Sequence, residues 1–167
     1  MKKFFRMIFV AALVLSLGAC GNSQASETLS ENPTQIPNPW TDYAEPEEAW
    51  AAAGFELTTP DEIKNYPQKV FRALLSEEGN LLEVIYENAQ AEEVRIRKAP
   101  GSDDISGDYN TYAEQETLTL DGKEVLLKGN DGKVYLATWT DADYTYAVSV
   151  SAGASSADFS ALIAAIH

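Results

Sequence analysis

The chain has 167 residues, with 26 acidic against 12 basic side chains, one cysteine and one histidine, for a formal charge of −14. So acidic a surface repels nucleic-acid phosphates, which excludes nucleic acid as a partner. With His167 as the sole imidazole and Cys20 as the sole thiol, Ser/His/Asp and Cys/His nucleophile systems and a His/Cys zinc site lack their residues.

The N-terminus reads as an export signal. Lys2, Lys3 and Arg6 form a positive head, and Met7 to Leu17 (MIFVAALVLSL) form an uncharged core. That core is too short for a membrane span of about 20 residues. Leu17-Gly18-Ala19-Cys20 follows, small residues ahead of a thiol, and this cleavage motif resembles the lipobox of bacterial lipoproteins. The resemblance implies a signal peptide over 1–19 and a covalent diacylglycerol on Cys20, with acyl chains such as palmitate anchoring the protein in the cell membrane at its extracytoplasmic face. Each buried CH₂ would add about 0.8 kcal/mol to that anchorage. The alternative is an incidental thiol beside an ordinary cleavage site. Loss of Lys2, Lys3 and Arg6 takes the formal charge from −14 to −17, so the exported part should stand off anionic headgroups.

Residues 20–38 comprise the lipidated cysteine and a flexible linker, because GNSQASETLSENPTQIPN has too little apolar content to bury a core. A single α+β domain is expected over 39–167. PEEAWAAA (Pro46 to Ala53) is predicted as a helix: Pro46 fits a first-turn position, Glu47 and Glu48 face the positive end of the helix dipole, and Gly54 stops it. Trp50 and Ala53 are expected on its buried side. Phe55 to Thr59 alternates as a half-buried strand would, up to Pro60.

Seven further strands follow from short β-branched and aromatic runs: Val70 to Leu75, Leu81 to Tyr86, Glu93 to Arg97, Thr117 to Leu120, Glu124 to Lys128, Val134 to Thr140 and Tyr144 to Val150. Glu78-Gly79-Asn80, Asp121-Gly122 and Asn130-Asp131-Gly132 accept positive φ and predict direct antiparallel reversals. Val94 and Ile96 should point inward, and Arg95 and Arg97 to water. Ser155 offers a cap ahead of Phe159, Leu162, Ile163 and Ile166, which share one helical stripe. The expected fold is a single twisted antiparallel meander with a short N-terminal helix and a C-terminal helix packed on one face.

The stretches IPNPWTDY, AAAGFELTTPDEI, DISGDYNTY and LLKGNDGKVYLATWTDADYTYAVSV together resemble a family of exported Gram-positive envelope domains of unknown function, found on lipoproteins and on the outer part of membrane-anchored regulatory proteins. The resemblance covers roughly residues 37 to 166. It implies an antiparallel α+β domain outside the cytoplasmic membrane and supplies no catalytic residues.

Two stretches offer binding chemistry. The loop RKAPGSDDISGDYNTY places Asp103, Asp104 and Asp108 together as candidate calcium ligands. With Gly107 at the sixth position of a calcium loop, however, the twelfth is Ala113, and Glu114 falls one residue late. The competing reading is a turn-rich crossover whose acids bond their own backbone, with Gly101 and Gly107 allowing tight reversals and Tyr109 and Tyr112 packing it against the sheet. Tyr135, Trp139, Tyr144 and Tyr146 lie on adjacent predicted strands. They could form an aromatic platform for a glycan, a peptide or an envelope protein, or pack the core. Lys123, Lys128 and Lys133 sit near the same turns. The reading is a lipid-anchored, non-catalytic binding or interaction module. Its alternative is a carboxylate-based hydrolase or calcium-binding protein using the acids of 103–114.

Overall fold

The computed structural model describes residues 38–167. Its architecture is α+β, dominated by one antiparallel sheet of eight strands accompanied by two helices. The expected signal peptide, Cys20 and the body of the linker lie outside the described residues. In chain order the elements are β1 (Trp40–Tyr43), α1 (Pro46–Ala53), β2 (Gln68–Leu74), β3 (Leu81–Glu87), β4 (Glu93–Pro100), β5 (Glu114–Leu120), β6 (Lys123–Asn130), β7 (Lys133–Asp141), β8 (Tyr144–Ala154) and α2 (Ser156–Ile163). All seven strands expected from residue 70 onward are present, most of them a few residues longer than the apolar runs that mark them.

The order across the sheet is β1-β2-β3-β4-β8-β7-β6-β5, which corrects the expected sequential meander. Two meanders, β1 to β4 and β5 to β8, join where β4 pairs with β8, with Val94 opposite Val150 and Ile96 opposite Val148. Tight turns build each half. Asp121-Gly122 and Asp131-Gly132 both take positive φ, as two-residue hairpins require, and β7 turns into β8 through Ala142 at φ 51°. Burial decides which strand goes inside. Thr145 to Val148 of β8 is buried without interruption, whereas β5, EQETLTL, is largely exposed and tolerates an edge. The segment 101–113 therefore carries the chain from the sheet centre to its far edge.

The core follows from the two-residue period. Val84, Ile96, Val148, Ala137 and Leu127 stand side by side across five strands, and all are buried. The next row on that side runs Ala73, Leu82, Lys98, Tyr146, Trp139 and Val125. Ala49 and Ala53 of α1, Phe159 and Ile163 of α2, and Ile166 belong to the same buried cluster. Each large apolar side chain so buried contributes about 1.5–3 kcal/mol. In α1 Ala49 and Ala53 are buried, and Trp50, half-buried, packs against the same cluster, on the expected side of the helix. Gly54 closes the helix at φ 87°, and Ser155 caps α2 by accepting the Asp158 N–H at 3.1 Å.

Phe55 to Thr59 is not a strand. Leu57 is buried, and the Thr58 N–H donates to the His167 carbonyl at 2.7 Å while the His167 N–H donates back at 3.3 Å. The segment's backbone thus pairs with the C-terminal residue rather than with a strand, while Lys98 Nζ of β4 donates to the Glu56 carbonyl at 2.7 Å and the Tyr86 hydroxyl of β3 to Thr59 at 2.9 Å. Pro60, which lacks an N–H, keeps a ladder from extending.

Candidate functional site

On the opposite side of the sheet the alternation places charge where the first side places hydrocarbon. Asp42, Arg72, Glu83 and Arg97 are lateral neighbours on β1 to β4, and Ile85, Arg95 and Ser149 form the adjacent row. The Glu83 side chain is fully buried. Arg72 Nε lies 2.5 Å from its Oε1, Arg97 Nε 2.6 Å from Oε2, and Arg95 Nε 3.3 Å from Oε2. The guanidinium groups of Arg72 and Arg97 also sit 5.1 and 5.5 Å from the centre of the Trp40 ring. Arg95 and Arg97, expected to point to water, instead converge on a carboxylate that burial would penalise without partners.

One of these arginines, Arg97, also holds the crossover down. Arg97 Nη1 donates to the carbonyls of Ile105 at 2.9 Å and Ser106 at 2.7 Å. Gly107 follows at φ 61°, a conformation that favours glycine, and a Cβ there would stand 2.6 Å from Arg97 Nη1 and push the guanidinium off the two carbonyls. Asp104 Oδ1 accepts the Ser106 N–H at 2.8 Å. Burial pushes the Asp104 carboxyl up, but hydrogen bonds from Ser106 and the charge of Lys128 outweigh it and hold the group below the usual carboxylate value. Asp108 accepts the Asn110 N–H at 2.7 Å on Oδ1 and the Tyr112 hydroxyl at 2.5 Å on Oδ2. Burial, reinforced by that bond, pushes the Tyr112 hydroxyl up to about 12.

The loop acids thus serve the loop. Asp103 is exposed, and Glu114 accepts the Gly132 N–H at 3.1 Å. Among the described residues no group of three His, Cys, Asp or Glu side chains is close enough to hold a metal ion.

The four aromatics do not form one exposed platform. Trp139 and Tyr146 are buried and stack on each other with ring centres 5.0 Å apart. Tyr144 packs against Phe55 at 5.3 Å, with Lys98 Nζ 4.6 Å from its centre. A register shift between Val134 and Leu136 takes Tyr135 out of the alternation, and its ring stacks on Tyr112 of the crossover at 6.2 Å. Of the nearby lysines, Lys123 pairs with Asp141 at 2.8 Å and Lys133 donates to the Ala152 carbonyl at 3.3 Å.

A different surface results. Two contiguous depressions of about 310 and 390 Å³ run along the crossover and share Arg95, Asp108, Asn110 and Ser149. Tyr112 and Tyr135 line one end, and Tyr109, 97% exposed, stands at the other. Arg95 Nη2 donates to Glu93 at 2.6 Å, while its Nε is buried without a hydrogen bond. A larger depression of about 780 Å³ lies around Asp61, Tyr66, Lys69 and Tyr86. There Lys69 Nζ is already committed to the Pro60 carbonyl at 2.9 Å and lies over the Phe71 and Tyr86 rings.

Asn110 and Ser149 were not singled out from the sequence, and Tyr109, expected with Tyr112 to pack the crossover against the sheet, stands in water instead. The one usable signal for this side of the sheet is Glu83, a lone acid inside the apolar run Leu81 to Tyr86. In comparisons with known proteins, no protein-family model, no curated protein and no solved structure matches the chain.

Proposed function

We propose that the protein is a non-catalytic binding module, held by a lipid on Cys20 at the extracytoplasmic face of the cell membrane and related to the exported envelope domains its sequence resembles. We read both helices as covering one face of the sheet, since Ala49, Ala53, Phe159 and Ile163 share a buried cluster with Val84, Ile96 and Val148. The other face is then left to the crossover and the groove beside it. The observation that carries the binding reading is Arg95, whose guanidinium is fixed between Glu93 at 2.6 Å and Glu83 at 3.3 Å and lines both depressions. A planar donor fork held in place in this way loses little side-chain freedom when a ligand binds.

Anchoring and binding are tested separately. Cys20→Ala should abolish incorporation of labelled palmitate and release the protein from the membrane fraction; unchanged fractionation would overturn the lipid anchor. For binding, hydrogen exchange of the full chain should slow in 105–112 when detergent-solubilised envelope material is added. Unaltered exchange throughout that segment would count against the groove as a binding surface.

A further inference from the structure

We infer that the groove beside the crossover accepts a neutral saccharide chain, an inference that rests on the binding-module reading and names its ligand class. Charge narrows the choice first. Arg95 is flanked by Glu93 at 2.6 Å, and Asp108 lines both depressions, so an anion meets two carboxylates and a cation meets a guanidinium. An apolar ligand finds little hydrocarbon, since Val150 is the only aliphatic side chain along either depression. The remaining surface alternates donors and acceptors: Arg95, Asn110 and the hydroxyls of Ser149 and Ser151 against Asp108 and Glu93. Adjacent sugar hydroxyls, each both donor and acceptor, match planar amide, carboxylate and guanidinium groups of this kind.

The aromatic groups supply the second half of the match. Tyr109 presents its ring almost wholly to water, which leaves its face for the C–H surface of a sugar ring, while the hydroxyl end remains solvated. Tyr112 and Tyr135, stacked at 6.2 Å, form a second aromatic point at the other end of the groove. Two aromatic points joined by a polar floor suit an extended oligosaccharide better than a single monosaccharide.

The test uses the full chain in detergent, titrated by calorimetry with cellohexaose, chitohexaose, maltohexaose and mannohexaose, and with polygalacturonate, polylysine and an uncharged hexapeptide library as contrasts. At least one neutral hexasaccharide should bind. Tyr109→Ala, at a position without packing to lose, should weaken that binding at least about fivefold. Arg95→Lys, which keeps the positive charge but loses the planar fork, should weaken it at least about tenfold, with folding checked by circular dichroism. Failure of all four neutral hexasaccharides overturns the saccharide inference. If the hexapeptide library or a charged polymer then binds and Tyr109→Ala weakens it, the binding-module reading survives with another ligand. If no probe binds, both fall. Saccharide binding indifferent to both substitutions overturns the assignment to this groove.

Discussion

Glu83 shows how far a single residue can shape one side of a sheet. It occupies a position where alternation within LLEVIY offers no apolar alternative, and three arginines from β2 and β4 gather at its carboxylate. Removing it leaves those cations together in a partly dry site, so Glu83→Ala should destabilise the fold by about 3–5 kcal/mol in urea unfolding. Glu93→Ala, which removes a half-exposed partner of Arg95, should cost under about 1 kcal/mol. At this scale the sequence was half legible. The alternation of Val94 and Ile96 with Arg95 and Arg97 could be read, but not the destination of the arginines, because a strand pattern separates two faces without saying which of them water reaches. The aromatic quartet divides for a related reason: Trp139 and Tyr146 pack the core, the alternative to a platform, whereas one register shift between Val134 and Leu136 sends Tyr135 to the crossover.

The elements themselves were the most legible level, because turns and strand runs are written locally. Asp121-Gly122 and Asp131-Gly132 reverse the chain as their chemistry requires, and Ser155 caps α2. What local chemistry cannot report is close approach between elements. Gly129 sits at a bulge in β6 where an added Cβ would lie 2.0 Å from the Lys133 carbonyl oxygen. The neighbour is backbone, so it cannot swing aside as a flexible side chain would. Gly129→Ala should therefore lower stability by about 1–3 kcal/mol, measured by denaturant midpoint, through displacement of the β6–β7 hairpin. Trp40 to Tyr43 was likewise missed as a strand. A four-residue edge strand just after the linker carries too short a pattern to be read alone, and its pairing with β2 is supplied by partners some thirty residues on.

For the molecule as a whole, two tyrosines with raised hydroxyl values make stability fall on the alkaline side. Burial pushes the Tyr86 hydroxyl up to about 12, its hydrogen bond to Thr59 opposing and the charge of Asp61 adding, and Tyr112 is raised similarly. The folded state favours the neutral hydroxyls. Their contribution is therefore complete below the ordinary value of 10.0 and is lost as pH rises toward about 12. Lys69 and Lys98, whose values burial lowers, act in the opposite sense by binding more protons when unfolded. Comparing Tyr86→Phe with the parent chain isolates the tyrosine term: melting temperature should fall less steeply for the variant between pH 10 and 12, while parallel curves would show Tyr86 uninvolved. The α+β class was legible in the sequence. The strand order was not, since hairpin signals bind neighbours in the chain and are silent about how two complete meanders join.

That junction also sets the order in which the protein can become whole. The middle of the sheet is made by β4 and β8, whose paired residues lie some fifty positions apart. Synthesis proceeds from the N-terminus, so β1 to β4 can form early, but the open flank of β4 stays without its partner until the last strand arrives. Closing so long a loop is slow. Through that interval an unpaired strand edge is available to any other extended chain, and the floor beneath the crossover lacks Ser149 until β8 arrives. The proposed groove therefore exists only once β8 is in place, and an incomplete chain carries an adhesive edge instead.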